Sequence, residues 1–311
     1  MKILIAYDGS ECADSALEEL KSAGLPKTAE AIVMSLADVF LPPPTNEGAD
    51  DTFPVYVSVG VELARKRAER ELKKADLMAR DAAKQIKERF AGWQVRHEAL
   101  ADSPAWALVR KSDEWAADLI VIGAQGHSVL GGRLVLGSVS QRVLYEARCS
   151  VRIARGRARD GGTPLRIVIA VDNSTYSNAA VDAVCRREWP SGTEVRLLTV
   201  VDTVMPVAPD PSSPLSMKWV EVDDEDNWDQ VRQIFEPSVE KVRSAGINAS
   251  LMIRRGNPKD EIIEEAEGWG ADCIFLGAKG TRGVERLLLG SVSSAVSARA
   301  RCSVEVVRKA E

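Results

Sequence analysis

The sequence has little histidine, no paired cysteines and no long apolar run. Only two of its 311 residues are histidine, His97 and His127, which excludes a histidine-rich metal site. The five cysteines stand at 12, 149, 185, 273 and 302, and none forms a C-x-x-C pair. Their odd number and scattered spacing read as reduced thiols, mostly in the core. No stretch approaches the roughly 18 apolar residues of a membrane span. The opening MKILIAYD carries about five apolar residues before Asp8, too few for a signal-peptide core. A cytoplasmic protein without a membrane partner is expected. Basic residues are not in excess: 41 Lys and Arg against 46 Asp and Glu leave a net charge of −5. That argues against a nucleic-acid partner, because phosphate contacts favour a basic surface. Two common phosphate loops are also missing. Residues 7–13 contain one glycine, so there is no G-x-G-x-x-G fingerprint, and no G-K-[ST] occurs anywhere.

What is present is a repeat. ADLIVIGAQG at 117–126 returns as ADCIFLGAKG at 271–280, 154 residues later. RLVLGSVS at 133–140 returns as RLLLGSVS at 286–293, and ARCSV at 147–151 returns at 300–304, both 153 residues later. The first copy therefore holds one extra residue between 127 and 132. ILIAYDGS at 3–10 answers IVIAVDNS at 167–174 with an offset of 164. A unit this long is a duplicated domain. The expected limits are 1–155 and 166–311, with GRARDGGTPL, 156–165, as the linker.

Each half reads as five strands alternating with four helices. In the second half the apolar β-branched runs Arg166–Val171, Glu194–Val201, Asn248–Ile253, Asp272–Leu276 and Ser303–Val307 are strands. Ser174 or Thr175 caps the first helix, and Asn257-Pro258 opens the third. In the first half, strands fall near 2–7, 31–37, 94–100, 118–122 and 150–154. Val61, Ala64, Ala68, Leu72, Ala75, Ala79, Ala82 and Ile86 repeat every three or four residues and predict a helix with one face on the sheet. Alternating strands and helices imply right-handed crossovers and a parallel sheet. The proline-rich stretches 41–54 and 202–215 read as loops, and the acidic run 221–229 as a helix start. Trp115 and Trp269 close the third helix of each half and read as packing residues, and His127 as an exposed loop residue.

The chemistry lies in the glycines. The fourth strand of the second half delivers the chain to Gly277 at the carboxyl edge of the sheet, where open parallel sheets bind ligands. Gly277 and Gly280 let backbone approach a ligand, and Gly290-Ser291 opens a helix whose free N–H groups carry partial positive charge. Together they make an anion cradle, with Ser291 and Ser293 as hydroxyl donors. Gly123, Gly126, Gly137, Ser138 and Ser140 are the first-half counterparts. Asp8 and Asp172 end the first strand of each half. Such a carboxylate either accepts a hydrogen bond from an amino group or caps the next helix.

The spacing G-x2-G-x9-G-[ST] at Gly277, Gly280, Gly290 and Ser291 resembles the ATP-binding members of the universal stress protein family. The first half fits with ten residues where nine are usual. Asp172 and Gly256-x-Pro258 complete the pattern, whereas the first half has Asp8 and Pro104 but Asp102 in place of that glycine. The resemblance covers both halves. It implies two tandem doubly wound, five-stranded parallel-sheet domains of Rossmann-like type, joined as a pseudo-dimer through their last strands at Val151–Ala154 and Val304–Val307. A homodimer of whole chains is a further arrangement. It implies ATP with Mg2+ as ligand, with Asp8, Asp172 and the backbone of Leu36 and Val200 at the adenine. The implied role is a stress-response sensor or regulator with an unidentified protein partner. A slow ATPase or phosphotransferase, or a scaffold with vestigial sites, are the alternatives. No general base stands out beside the cradle, so binding is expected ahead of turnover. The first site is expected to be the weaker, because Asp102 replaces that glycine and adds negative charge near the ligand edge; the effect of the extra residue stays open.

Overall fold

The structure, a computed structural model, describes residues 1–39, 55–125, 136–155, 163–201, 204–207, 218–221, 225–280 and 289–309. The first half runs β1 (Lys2–Ala6), α1 (Glu11–Glu19), β2 (Ala29–Ala37), α2 (Val55–Arg89), β3 (Trp93–Ala101), α3 (Pro104–Glu114), β4 (Leu119–Gly123), α4 (Ser138–Glu146) and β5 (Ser150–Ala154). The second runs β6 (Arg166–Ala170), α5 (Thr175–Cys185), β7 (Glu194–Val201), β8 (Val204–Val207), β9 (Lys218–Glu221), α6 (Glu225–Ser244), β10 (Asn248–Arg255), α7 (Pro258–Trp269), β11 (Cys273–Gly277), α8 (Ser291–Arg299) and β12 (Ser303–Val307). The five expected strands of each half are all present. In α2 the stripe residues Ala68, Ala75, Ala79, Ala82 and Ile86 are buried, Val61 and Leu72 are half-buried, and Ala64 is exposed.

The main strands form one ten-stranded sheet in the order β10-β7-β6-β11-β12-β5-β4-β1-β2-β3. Within each half every pairing of this ten-stranded sheet is parallel. At the centre β12 pairs antiparallel with β5, with Val304 opposite Ile153, Glu305 opposite Arg152 and Val306 opposite Val151. The last strands therefore join the halves about a pseudo-two-fold axis.

The 202–215 stretch departs from its reading as a loop. Val204–Val207 is a strand paired antiparallel with Lys218–Glu221, and Pro206 stands opposite Trp219. Proline is tolerated because a two-stranded ribbon has only edge strands. Residues 156–162 of the expected linker and the expected loop at 41–54 lie outside the described residues.

The two faces of the seam differ because side chains alternate along β5 and β12. Val151, Ile153, Val304 and Val306 point into one apolar core that continues through α3, α4, α7 and α8 of both halves. On the opposite face each half keeps its own core, and Arg152 and Glu305 point between them. Arg152 Nε donates to Glu19 Oε1 at 3.0 Å, and its Nη1 donates to Glu305 Oε2 at 3.2 Å and Cys273 Sγ at 3.3 Å. Arg187 pairs with the other oxygen of Glu305 and donates to the Ala23 carbonyl at 2.8 Å. Glu19, Arg152, Glu305 and Arg187 thus form a line of alternating sign. Burial opposes the Arg152 charge, but Cys273 and the two carboxylates outweigh it and raise its pKa.

Candidate functional site

In each half the strand order reverses between the first and fourth strands, β1 and β4 or β6 and β11. That is where open parallel sheets place ligands, and the motif glycines of the second half gather there. A Cβ on Gly277 would lie 2.5 Å from the Tyr176 carbonyl carbon and 2.8 Å from Ser177 N. The first turn of α5 sits directly on the end of β11, and only glycine permits that approach. Gly123 meets the Cys12 backbone in the same way, at 3.2 Å. The first glycine of each motif therefore serves helix packing.

Gly280 faces the site: a Cβ there would stand 2.6 Å from Asp172 Oδ2. The chain leaves at Gly280 and returns at Gly290, whose N–H donates to the Ala278 carbonyl at 2.7 Å. A Cβ on Gly290 would lie 3.5 Å from Lys279 Cα and 3.8 Å from Gly280 N. Two glycines ten residues apart in sequence thus line one small space beside a carboxylate. The first half repeats the return, with Gly137 N–H donating to Ala124 O at 2.9 Å. Gly126, His127 and the extra residue fall outside the described residues.

The Asp172 turn is built from D-N-S. Asn173 takes φ 62°, and its counterpart Gly9 takes φ 74°, the left-handed conformation that these two residue types tolerate best. Ser174 caps α5 by accepting from Ser177 N at 3.0 Å, and Ser10 caps α1 by accepting from Ala13 N at 3.2 Å. The aspartates brace these turns instead. Asp172 Oδ1 accepts from Ser174 N at 3.1 Å, and Asp8 Oδ1 accepts from Ser10 N at 3.0 Å. Serine thus takes the helix cap, and Asp172 keeps its second oxygen turned toward Gly280. Beside Asp8, burial and the hydrogen bond to Asp14 push the Tyr7 hydroxyl well above the ordinary phenol range.

Helix α8 opens at Gly290, with φ −78° and ψ 158°, and no side chain caps its first turn. Gly137 opens α4 in the same way, with φ −62° and ψ 153°. Ser291 and Ser138, the first helical residues, are exposed. Ser293 and Ser140 behave differently from expectation. Both are buried, and each hydroxyl donates at 2.7 Å to a strand-end carbonyl, Gly277 O and Gly123 O. Side chains in a first helical turn point back toward its start, so these serines brace the helix on the strand.

Leu36 and Val200 present backbone to the cleft. Met34 O and Leu198 O, two residues earlier, accept from Tyr7 N and Val171 N. Because backbone direction alternates along a strand, Leu36 and Val200 face the same side, past the ends of β1 and β6. At the start of the third helix the halves diverge. Gly256 takes φ 146°, whereas Asp102 accepts from Ser103 N at 2.7 Å and pairs with Arg110 at 2.8 Å. The Asp102 charge is therefore compensated and does not simply add to the ligand edge.

Lys279 is a cradle residue that the motif reading passed over. Its ammonium lies 5.7 Å from the centroid of the Tyr176 ring, and the first half has Gln125 there. The signal was the single difference between GAKG and GAQG. Trp269 stacks against Arg196 at 4.1 Å, and Trp115 takes the Lys2 ammonium on its carbonyl at 3.1 Å. Both lie at the amino edge and pack as expected. No group of three or more side chains able to hold a metal occurs among the described residues. No helix among them is long and apolar enough to cross a membrane.

The sequence model of the universal stress protein family matches the chain twice, over residues 1–155 and 165–308. The chain is 24% identical over 315 residues to a universal stress protein of Mycolicibacterium smegmatis, covering 98% of this chain and 96% of that one. It is 28% identical over 151 residues to universal stress protein YxiE of Bacillus subtilis, covering 46% of this chain and 98% of that protein. A universal stress protein from Archaeoglobus fulgidus has a similar fold, with a TM-score of 0.63, 20% identity, and coverage of 99% of this chain and 98% of that one.

Proposed function

The chain belongs to the universal stress protein family, and from that premise we propose that it binds ATP at the carboxyl edge of each half and serves as a stress-response sensor or regulator. The observation that carries this reading is the meeting of Gly280, Gly290 and the uncapped start of α8 beside Asp172. Free N–H groups and the positive end of the helix dipole suit phosphate. A carboxylate at the end of the central strand, with the Val200 backbone next to it, suits an amino-bearing base. Gly290 and Ser291 hold phosphate, while Gly277, Ser293 and their counterparts Gly123 and Ser140 hold the cradle in shape. Asp8, Leu36, Gly126, Gly137 and Ser138 are the matching set in the first half. Lys279 adds positive charge that Gln125 does not. Magnesium, which prefers phosphate and water oxygens, would arrive with the nucleotide. The division at 1–155 and 166–311 about the 156–165 connection belongs to this proposal.

The test is calorimetric titration with ATP. Gly137→Val silences the first site and leaves the second to be read alone. Adding Gly290→Val then fills the space between Ala278, Lys279 and Gly280, and affinity should drop at least about tenfold, or 1.4 kcal/mol. Unchanged affinity in a chain that melts normally would refute the reading.

A further inference from the structure

Each cradle helix is tied at its two ends to different halves of the chain. At its start, α8 is held to its own half by Ser293. At its end the cap residue, Ala300, is extended rather than left-handed, so no glycine cap covers the last carbonyls, which a helix leaves without partners. Arg155, which follows β5 in the first half, supplies them. Its guanidinium donates to Ser297 O and, at 3.3 Å, to Ala298 O.

The contact recurs with the halves exchanged. Arg308, which follows β12, donates to Leu144 O in the last turn of α4 at 2.5 Å and to Cys149 O, in the turn before β5, at 3.2 Å. Arg155 and Arg308 are 153 residues apart, and so are Leu144 and Ser297. Matching serines fix the two arginine backbones: Arg155 N donates to Ser303 Oγ at 3.0 Å, and Arg308 N donates to Ser150 Oγ at 3.1 Å. Both guanidinium groups are largely buried, which brings their pKa down to about 10. They remain charged at neutral pH and sit at the negative end of the helix dipole.

Helices α4 and α8 have nine residues each, a length that is marginal without outside support. Their buried faces pack on the shared core, and both ends are tied, one of them across the seam. We infer that Arg155 and Arg308 are positioning residues for the phosphate cradle of the opposite half. Arg155 aligns the α8 start in the second half, and Arg308 aligns the α4 start in the first. The inference rests on the nucleotide reading given above.

The experiment uses the full chain with one cradle silenced at a time, by Gly137→Val or Gly290→Val. Arg155→Gln should weaken ATP binding in the second half about fivefold or more, the usual size of coupling between sites, and leave the first half unchanged. Arg308→Gln should do the reverse. Arg155→Lys, which keeps the charge, should recover part of the loss and serves as the readout if the glutamine variant does not fold. Amide exchange at 291–293 and 138–140 should accelerate in the same crossed pattern without nucleotide. Equal losses in both halves, or losses confined to the substituted half, overturn the inference. If the unsubstituted chain binds no ATP, the nucleotide reading falls, and the exchange pattern alone then decides whether the ties cross.

Discussion

Replacing Arg152 with methionine puts the buried charge line to a direct test. Arg152 is 2% exposed, and its partners Glu19 and Glu305 are 3% and 1% exposed. Methionine fills much of the volume but removes four hydrogen bonds and the base between two acids. Glu305 keeps Arg187. Glu19 keeps the Ser303 hydroxyl and the Arg155 N–H, and the Arg155 charge acts on it as well. Removing one partner of a buried pair costs about 3–5 kcal/mol. The upper half of that range is expected here, because one guanidinium bridges two carboxylates. Urea unfolding at neutral pH reads the loss. Adding Glu19→Gln leaves Arg187 and Glu305 as a matched pair, so the double variant should regain more than half of it. A loss below about 1 kcal/mol, the scale of an exposed ion pair, would refute the picture of mutually dependent buried charges.

Burial raises the Cys149 thiol to about 11, whereas the unfolded thiol ionises near about 8.5. Stability should therefore fall as pH rises through that window, by roughly 3 kcal/mol from this group, and urea midpoints for Cys149→Ala should fall less. The first cradle should bind ATP more weakly than the second by calorimetry. Gln125→Lys should narrow the gap, while Asp102→Gly should recover little, because Arg110 already compensates that carboxylate. A fragment of residues 166–311 should dimerise or aggregate in light scattering, since it exposes the β12 edge; a well-behaved monomer would count against the seam.

Much of the fold was legible because its signals are local. β-Branched runs such as Arg166–Ala170 and Glu194–Val201 read as strands from their own composition, and Ser174 and Asn257 announced their helices. The repeat exposed the duplication, and the glycine spacing located the cleft. What stayed hidden depends on distant neighbours. Gly277 is required by Tyr176, some hundred residues earlier in the chain, so spacing alone could not separate packing from ligand approach. The partner of the Ser293 hydroxyl stayed hidden because its acceptor, a strand-end carbonyl, has no sequence signature. The seam left a faint trace in SVRIA and SVEVV, where equivalent interior positions carry opposite charges. It became readable only once the register set Arg152 opposite Glu305. The β8–β9 ribbon was missed because prolines outweighed the short apolar runs around them.

The apolar core beneath α3, α4, α7 and α8 crosses the seam without interruption. Two evolutionary copies therefore amount to a single thermodynamic body. Loosening either copy opens the same layer of side chains, so neither can melt while the other stays intact. Calorimetric and van't Hoff enthalpies should agree for all 311 residues, and the denaturant slope should scale with the surface of the whole chain rather than with half of it. A lesion far out in one copy would then lower the melting temperature of both together.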